Sequence, residues 1–163
     1  MATIRLSLLR HAHAGDPLKW HGADFDRPLS GKGREQAERL GAHLAAIGFE
    51  TDALVTSPRV RARETAELVG DALGVTLRID ERLAEPLSIP AIEQILEAAG
   101  DPAAPVLVGH DPDFSELLAL LTGASDLAMR KGAMARVDIA RPIAPASGLL
   151  RWLLPPDVLA ARS

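Results

Sequence analysis

The sequence predicts a three-layer α/β sandwich, with helices on both faces of a mostly parallel sheet. Two observations carry that prediction. Strand-like and helix-like segments alternate along the chain, the pattern that builds parallel sheets with crossover helices. Three of the strand-like runs also stop abruptly at polar residues, which places those residues at the carboxyl edge where such sheets bind ligands. The 163 residues are 47% apolar and 25% charged, enough for one domain with a real core. The expected domain is 1–163, with its core at about 3–154 and a surface tail over 155–163.

The elements follow in order. Residues 3–9 read as a strand. Residues 31–47 read as a helix with Ala37, Leu40, Leu44 and Ile47 on one face and Ser30 as its N-cap. A short buried strand spans 53–56. The next helix, 58–73, opens on Ser57 as cap with Pro58 in first position and closes at Gly74. Residues 75–79 form another strand and 89–99 a helix ended by Gly100. A buried strand at 105–109 precedes a helix at 112–121, capped by Asp111, with Gly123 beyond its end. Residues 135–140 and 149–154 close the pattern as strands around a Pro-rich turn.

Composition narrows the function. A net charge of −4 argues against a nucleic-acid partner. The absence of cysteine removes disulfides and thiolate chemistry and is compatible with a reducing compartment. The N-terminal apolar run is broken by Arg5 and Arg10 and reads as neither a signal peptide nor a membrane span. The longest later run, 117–121, is too short to cross a bilayer. A cytoplasmic enzyme or binding domain is the expectation.

The first strand ends at Arg10-His11, the second at Thr56-Ser57-Pro58, with Arg59, Arg61 and Arg63 just inside the following helix, and the fourth at Gly109-His110-Asp111. Parallel strands bring all three sets to one edge. Two of them also open helices, whose free N–H groups favour anions. Two histidines and at least two arginines thus converge on a place suited to a phosphate dianion. Histidine attacks phosphorus covalently, and arginine holds phosphoryl oxygens.

Four blocks carry a family resemblance. Leu9-Arg10-His11-Ala12 resembles the Arg-His-Gly signature of the histidine phosphatase superfamily, with Ala12 in place of glycine. Arg27-Pro28-Leu29-Ser30-x-x-Gly33-x-x-Gln36-Ala37 is similar to its second block. Ser57-Pro58-x-x-Arg61-Ala62-x-x-Thr65-Ala66 resembles the third and Val108-Gly109-His110-Asp111-Pro112 the fourth. The blocks keep the family's order. The small size and the Arg-Pro-Leu block resemble the cap-free SixA-type phosphohistidine phosphatases, and the implied fold is phosphoglycerate mutase-like.

The resemblance implies roles. His11 is the nucleophile, its second ring nitrogen donating to a backbone carbonyl and flanking cations holding its pKa down. Arg10 and Arg61 clamp the phosphoryl oxygens and His110 donates to them. No metal or other cofactor is expected. Residues two apart on a helix do not share a face, so Arg59, Arg61 and Arg63 cannot all point inward. Arg61 fits the motif, while Arg59 and Arg63 are solvated, with Arg59 able to line the mouth. His13 lies at the rim, touching substrate or simply exposed. His11, His13 and Asp16 as metal ligands are disfavoured by the arginines. His21 and His43 read as structural or exposed, Asp26-Arg27 as an ion pair, and Trp20 and Trp152 as packing residues.

The general acid is unassigned. Glu81 and Glu85 lie after the third strand, where larger relatives carry an acid, but their spacing matches imperfectly. An absent acid fits a phosphohistidine substrate, whose imidazole leaves far more easily than an alkoxide. The implied activity is removal of phosphate from a phosphohistidine on a protein such as a histidine-containing phosphotransfer domain in signal transduction. The alternatives are hydrolysis of a small or sugar phosphate ester, and a non-catalytic phospho-residue binding module. No nucleic-acid or membrane partner is expected, and the expected state is a monomer.

Overall fold

A computed structural model describes residues 2–159. Six strands form one mixed sheet: β1 (Thr3–Arg10), β2 (Ala53–Thr56), β3 (Leu77–Ile79), β4 (Pro105–Gly109), β5 (Met134–Ala140) and β6 (Leu149–Leu154). Their order is β3-β2-β4-β1-β5-β6. The first four are mutually parallel, and β5 and β6 run antiparallel beside β1. The helices are α1 (Gly31–Ala46), α2 (Val60–Leu73), α3 (Ile89–Ala98) and α4 (Asp113–Thr122).

The layers follow from side-chain alternation along the strands. Ile4, Leu6, Leu8 and Leu107 meet Ile92, Ile95 and Leu96 of α3 and Phe114, Leu117 and Leu118 of α4 in one core half. Leu9, Val106 and Val108 face the other way, onto Leu40 and Leu44 of α1 and Ala62, Ala66 and Val69 of α2. β1 and β4 are therefore covered on both faces, which explains their near-continuous apolar sequences. Gly109, the last residue of β4, lies under Phe114: a Cβ there would stand 2.7 Å from the ring. That close approach seats α4 directly behind the edge where β4 ends.

Several expectations need correcting. Ile47 is exposed, because α1 ends one residue earlier and Ile47 is its C-cap. α2 begins at Val60 with Arg59 as N-cap, so Ser57 does not cap it, and its hydroxyl is used elsewhere. Asp111 does hold the first turn of α4, accepting from Ser115 N at 3.0 Å, but the N-cap position is Pro112. β3 is shorter than expected. Of the predicted tail, Pro156–Val158 form a 3-10 turn and Leu159 packs against the α1–α2 core half. Residues 160–163 lie outside the described residues.

Candidate active site

Adjacent parallel strands lie about 4.8 Å apart, so the ends of β2, β4 and β1 form a tight row. Backbone bonds carry the register past the strand ends: Ser57 N donates to Val108 O at 2.9 Å and His11 N to Gly109 O at 3.0 Å. The row therefore presents Ser57, His110 and Arg10-His11 side by side. Arg61 joins from the first turn of α2. The four residues singled out from the sequence, Arg10, His11, Arg61 and His110, come together at this edge.

His11 is buried, and its ring centroid lies 5.3 Å from that of His110. Its Nδ1 donates to the Ala12 carbonyl at 2.7 Å, leaving Nε2 as the nitrogen with a free lone pair. Burial pushes the imidazole down to about 3, and the neighbouring His110, Arg61 and Arg10 add to the effect. The flanking cations thus act in the expected direction, but burial is the larger cause. The turn is braced from α2 by Ala12 N, which donates to Thr65 Oγ1 at 3.1 Å.

His110 is also pushed down to about 3, by burial and then by Arg61 and Arg59. Its Nε2 lies 2.7 Å from Ser57 Oγ. Its Nδ1 is buried without a hydrogen-bond partner among the described residues, as are Nε of Arg10 and Nε of Arg61. Buried polar groups are nearly always paired, so three unpaired ones on neighbouring site residues point to a polar group that completes them.

The arginines are held from behind. Arg10 Nη1 donates to Met129 O at 2.8 Å, with Asp111 at 3.8 Å. Arg61 donates to the Asp24 carbonyl at 2.9 Å and to its carboxylate at 3.2 Å. Asp24 is also 3.0 Å from Arg27 Nε and 3.7 Å from Arg59. The Arg27 hydrogen bond, with help from Arg61 and Arg59, holds the Asp24 carboxyl below the usual range. Arg27 therefore pairs with Asp24, not with Asp26 as expected from adjacency. Arg59 stands over the Phe25 ring at 5.9 Å, and Arg63 turns away to Glu67.

The remaining candidates divide. His13 is half-buried beside Arg10 at a neighbouring cavity, with Nδ1 2.7 Å from Ser30 Oγ. Gly33 permits this approach, since a Cβ there would sit 1.8 Å from the His13 carbonyl oxygen. Glu81 and Glu85 are exposed on the turn after β3. β3 lies two strand spacings, about 10 Å, from β4. Among the described residues neither carboxylate bonds to His11 or His110. His21 is exposed and His43 half-buried. Trp152 packs edge-on against Phe49, but Trp20 is 38% exposed and is not a packing residue. Among the described residues no group of three or more His, Asp or Glu is placed to hold a metal ion.

Sequence reasoning missed Asp24, Ser57 as a partner of His110, Thr65 and Lys131. Thr65 lies inside the third block, four residues from Arg61, and that spacing was a usable signal. Asp24 comes from a short 3-10 turn and Lys131 from the turn before β5, and the place of both is set by tertiary contacts.

The family model of the histidine phosphatase superfamily (branch 1) matches residues 6–100, a stretch that contains Arg10, His11 and Arg61. An uncharacterized protein of Picosynechococcus sp. is 36% identical over 116 residues, covering 69% of this chain and 70% of that protein. An 8-oxo-(d)GTP phosphatase of Mycolicibacterium smegmatis is 36% identical over 109 residues, 64% of this chain but only 33% of the relative's length. The structure of the protein histidine phosphatase SixA complexed with tungstate superposes with a TM-score of 0.80 at 22% identity, covering 96% of this chain and 100% of that one. At that identity the likeness shows the fold.

Proposed function

The chain belongs to the histidine phosphatase superfamily and is a phosphatase of that kind, and we propose that it hydrolyses phosphohistidine on a partner protein. The observation that supports the reading is the setting of His11: buried, its Nδ1 committed to Ala12 O, its ring 5.3 Å from that of His110, and Arg10 and Arg61 near enough to lower its pKa further. In this reading Nε2 attacks phosphorus as the bond to the substrate's imidazole nitrogen breaks. The phosphoryl group then sits on His11 as a phosphohistidine. A water molecule attacks it, Nε2 leaves, and inorganic phosphate departs.

Arg10 and Arg61 neutralise the phosphoryl oxygens through the first and second steps. In this reading Ser57 accepts from Arg59 N at 3.3 Å and donates a hydrogen bond from its hydroxyl to His110 Nε2. The ring proton of His110 then lies on Nδ1, which donates to the phosphoryl group. The departing imidazole carries its own proton, so no carboxylic acid is required, in keeping with the exposed positions of Glu81 and Glu85. The arginines supply the positive charge in place of a metal. We place the enzyme in the cytoplasm, as a monomer in a histidine–aspartate signalling relay. Among the described residues no helix is long and apolar enough to cross a membrane.

One observation favours a second reading. The 8-oxo-(d)GTP phosphatase relative acts on a small phosphate compound by its name. One experiment separates the two. Hydrolysis of a phosphorylated phosphotransfer domain is compared with that of an aryl phosphate, using wild type, His11→Ala and Glu81→Gln/Glu85→Gln. Fast, His11-dependent loss of protein phosphohistidine, indifferent to both glutamates, supports the proposal. Preference for the ester, with a large loss on removing either glutamate, refutes it. Phosphate binding with no turnover of either substrate would instead make the chain a binding module.

A further inference from the structure

Beside the phosphoryl site lies a cavity of about 510 Å³ whose wall it shares through Arg10 and His13. Five lysine and arginine side chains line it, against the carboxylates of Glu35 and Asp157 only. Those two carboxylates are already engaged: Glu35 pairs with Arg39, and Asp157 lies 3.9 Å from Arg130. Lys32 and Lys131 have no carboxylate within 4 Å among the described residues.

Lys131 is brought there by the backbone. Gly132 N donates to the carbonyls of both Arg10 and His11, at 3.1 and 2.9 Å, and Arg10 N donates to Ala133 O at 3.0 Å. The turn carrying Lys131 is thus laid against the strand end that carries the nucleophile. Burial, then Arg10, Arg27 and Arg61, holds its ammonium below the ordinary lysine value, and burial, then Lys131 and Lys32, lowers His13. A phosphoryl dianion already has Arg10, Arg61 and His110. It leaves Lys32 and Lys131 in excess, with only the charge of Asp16, beyond ion-pair distance, set against Lys131, and like charges gathered this way are costly unless a ligand answers them.

The other flank says what kind of ligand. Next to Arg59 and Arg61, the segment 17–25 exposes Leu18 (93%), Trp20 and Phe25 to solvent. A protein face would cover them, and exposed aromatic anchors beside a charged site are typical of protein recognition.

We propose that Lys32 and Lys131 form a second anion subsite, which takes an acidic side chain near the phosphohistidine of the partner protein. The inference rests on the protein phosphohistidine reading above. Its test compares kcat/KM on a phosphorylated histidine-containing phosphotransfer domain with kcat/KM on free phosphohistidine, for wild type and for Lys32→Gln/Lys131→Gln. Both lysines sit outside the core, so a matching melting temperature confirms that the variant folds. The ratio of protein to free amino-acid turnover falls at least tenfold in the variant, through KM, and the salt dependence of the protein reaction flattens. An unchanged ratio, with the protein still a good substrate for wild type, overturns the subsite alone. Wild type that leaves the phosphoprotein intact while hydrolysing an ester overturns the underlying reading, and the subsite with it.

Discussion

The pH behaviour of the two site histidines offers the sharpest test. Both are held at about 3 in the folded protein, against an ordinary 6.5. At pH 5 an ordinary imidazole is protonated by about 30 to 1, whereas one near 3 is only about 1% protonated. As far as His11 is concerned, kcat/KM should hold within about twofold from pH 7 to pH 5, where an ordinary histidine nucleophile loses about 25-fold. The direct assay is a ring-nitrogen NMR titration of the free protein from pH 8 to pH 4. Both imidazoles should remain neutral at pH 5, with His11 carrying its proton on Nδ1. Unfolded, both rings titrate near 6.5, so between about 3 and 6.5 the unfolded chain binds more protons. Their contribution is full above pH 6.5 and is lost as pH falls through that window. Inorganic phosphate, a dianion seated between them, should raise both values. A midpoint above pH 5 for either ring in the free protein would refute the argument from burial.

Further expectations can be checked together. His11→Ala should lower turnover by about 10³-fold or more and leave no phosphoenzyme, while the circular dichroism spectrum is retained; substantial residual activity would remove His11 as nucleophile. Ser57→Ala leaves a buried imidazole nitrogen unpaired, at a cost of about 1–3 kcal/mol, and should lower the melting temperature by about 2–4 °C per kcal/mol in a domain of this size. The same change frees the tautomer of His110, so kcat should fall more than KM rises; an unaltered kcat would show that Ser57 does not position the ring. Gly33→Ala drives a Cβ into the His13 carbonyl and should destabilise the protein by about 2 kcal/mol or more in a denaturant melt, unless the start of α1 shifts freely.

How much of this was legible depends on the range of the forces involved. The β1 and β4 strands could be read because double-sided burial leaves a continuous apolar run, and their polar stops marked the site. Helix geometry said only that Arg59, Arg61 and Arg63 could not all point inward; Arg61 was singled out because it alone fits the family's third block, and in the structure Arg59 also reaches Asp24. Ser57 was misassigned for a local reason: Ser-Pro before a helical run has the composition of a cap, yet the hydroxyl is drawn to His110 from another strand, 53 positions away. Asp24 was lost to its neighbour Asp26 for the same kind of reason. Adjacency favours Asp26 with Arg27, and only the 3-10 turn at Asp24–Asp26 brings Asp24 round to Arg27, Arg59 and Arg61. Lys131 gave no signal, since its position depends on a turn hydrogen-bonded to β1 across more than a hundred residues. Trp20 shows the limit of composition: a large aromatic is usually interior, and here it lies on an exposed loop.

The outer border of the sheet has a consequence for self-association. β6 reads Leu-Leu-Arg-Trp-Leu-Leu and pairs on one side only, with β5. Five of its six residues are apolar, and Leu149 is exposed. An open apolar border of this kind is a template for intermolecular strand addition. Arg151 interrupts it, tied at 2.7 Å to Asp138 on β5, and Pro155 ends it without a backbone donor. A charge within such a border and a proline at its end are features that oppose addition of a further strand from a second molecule.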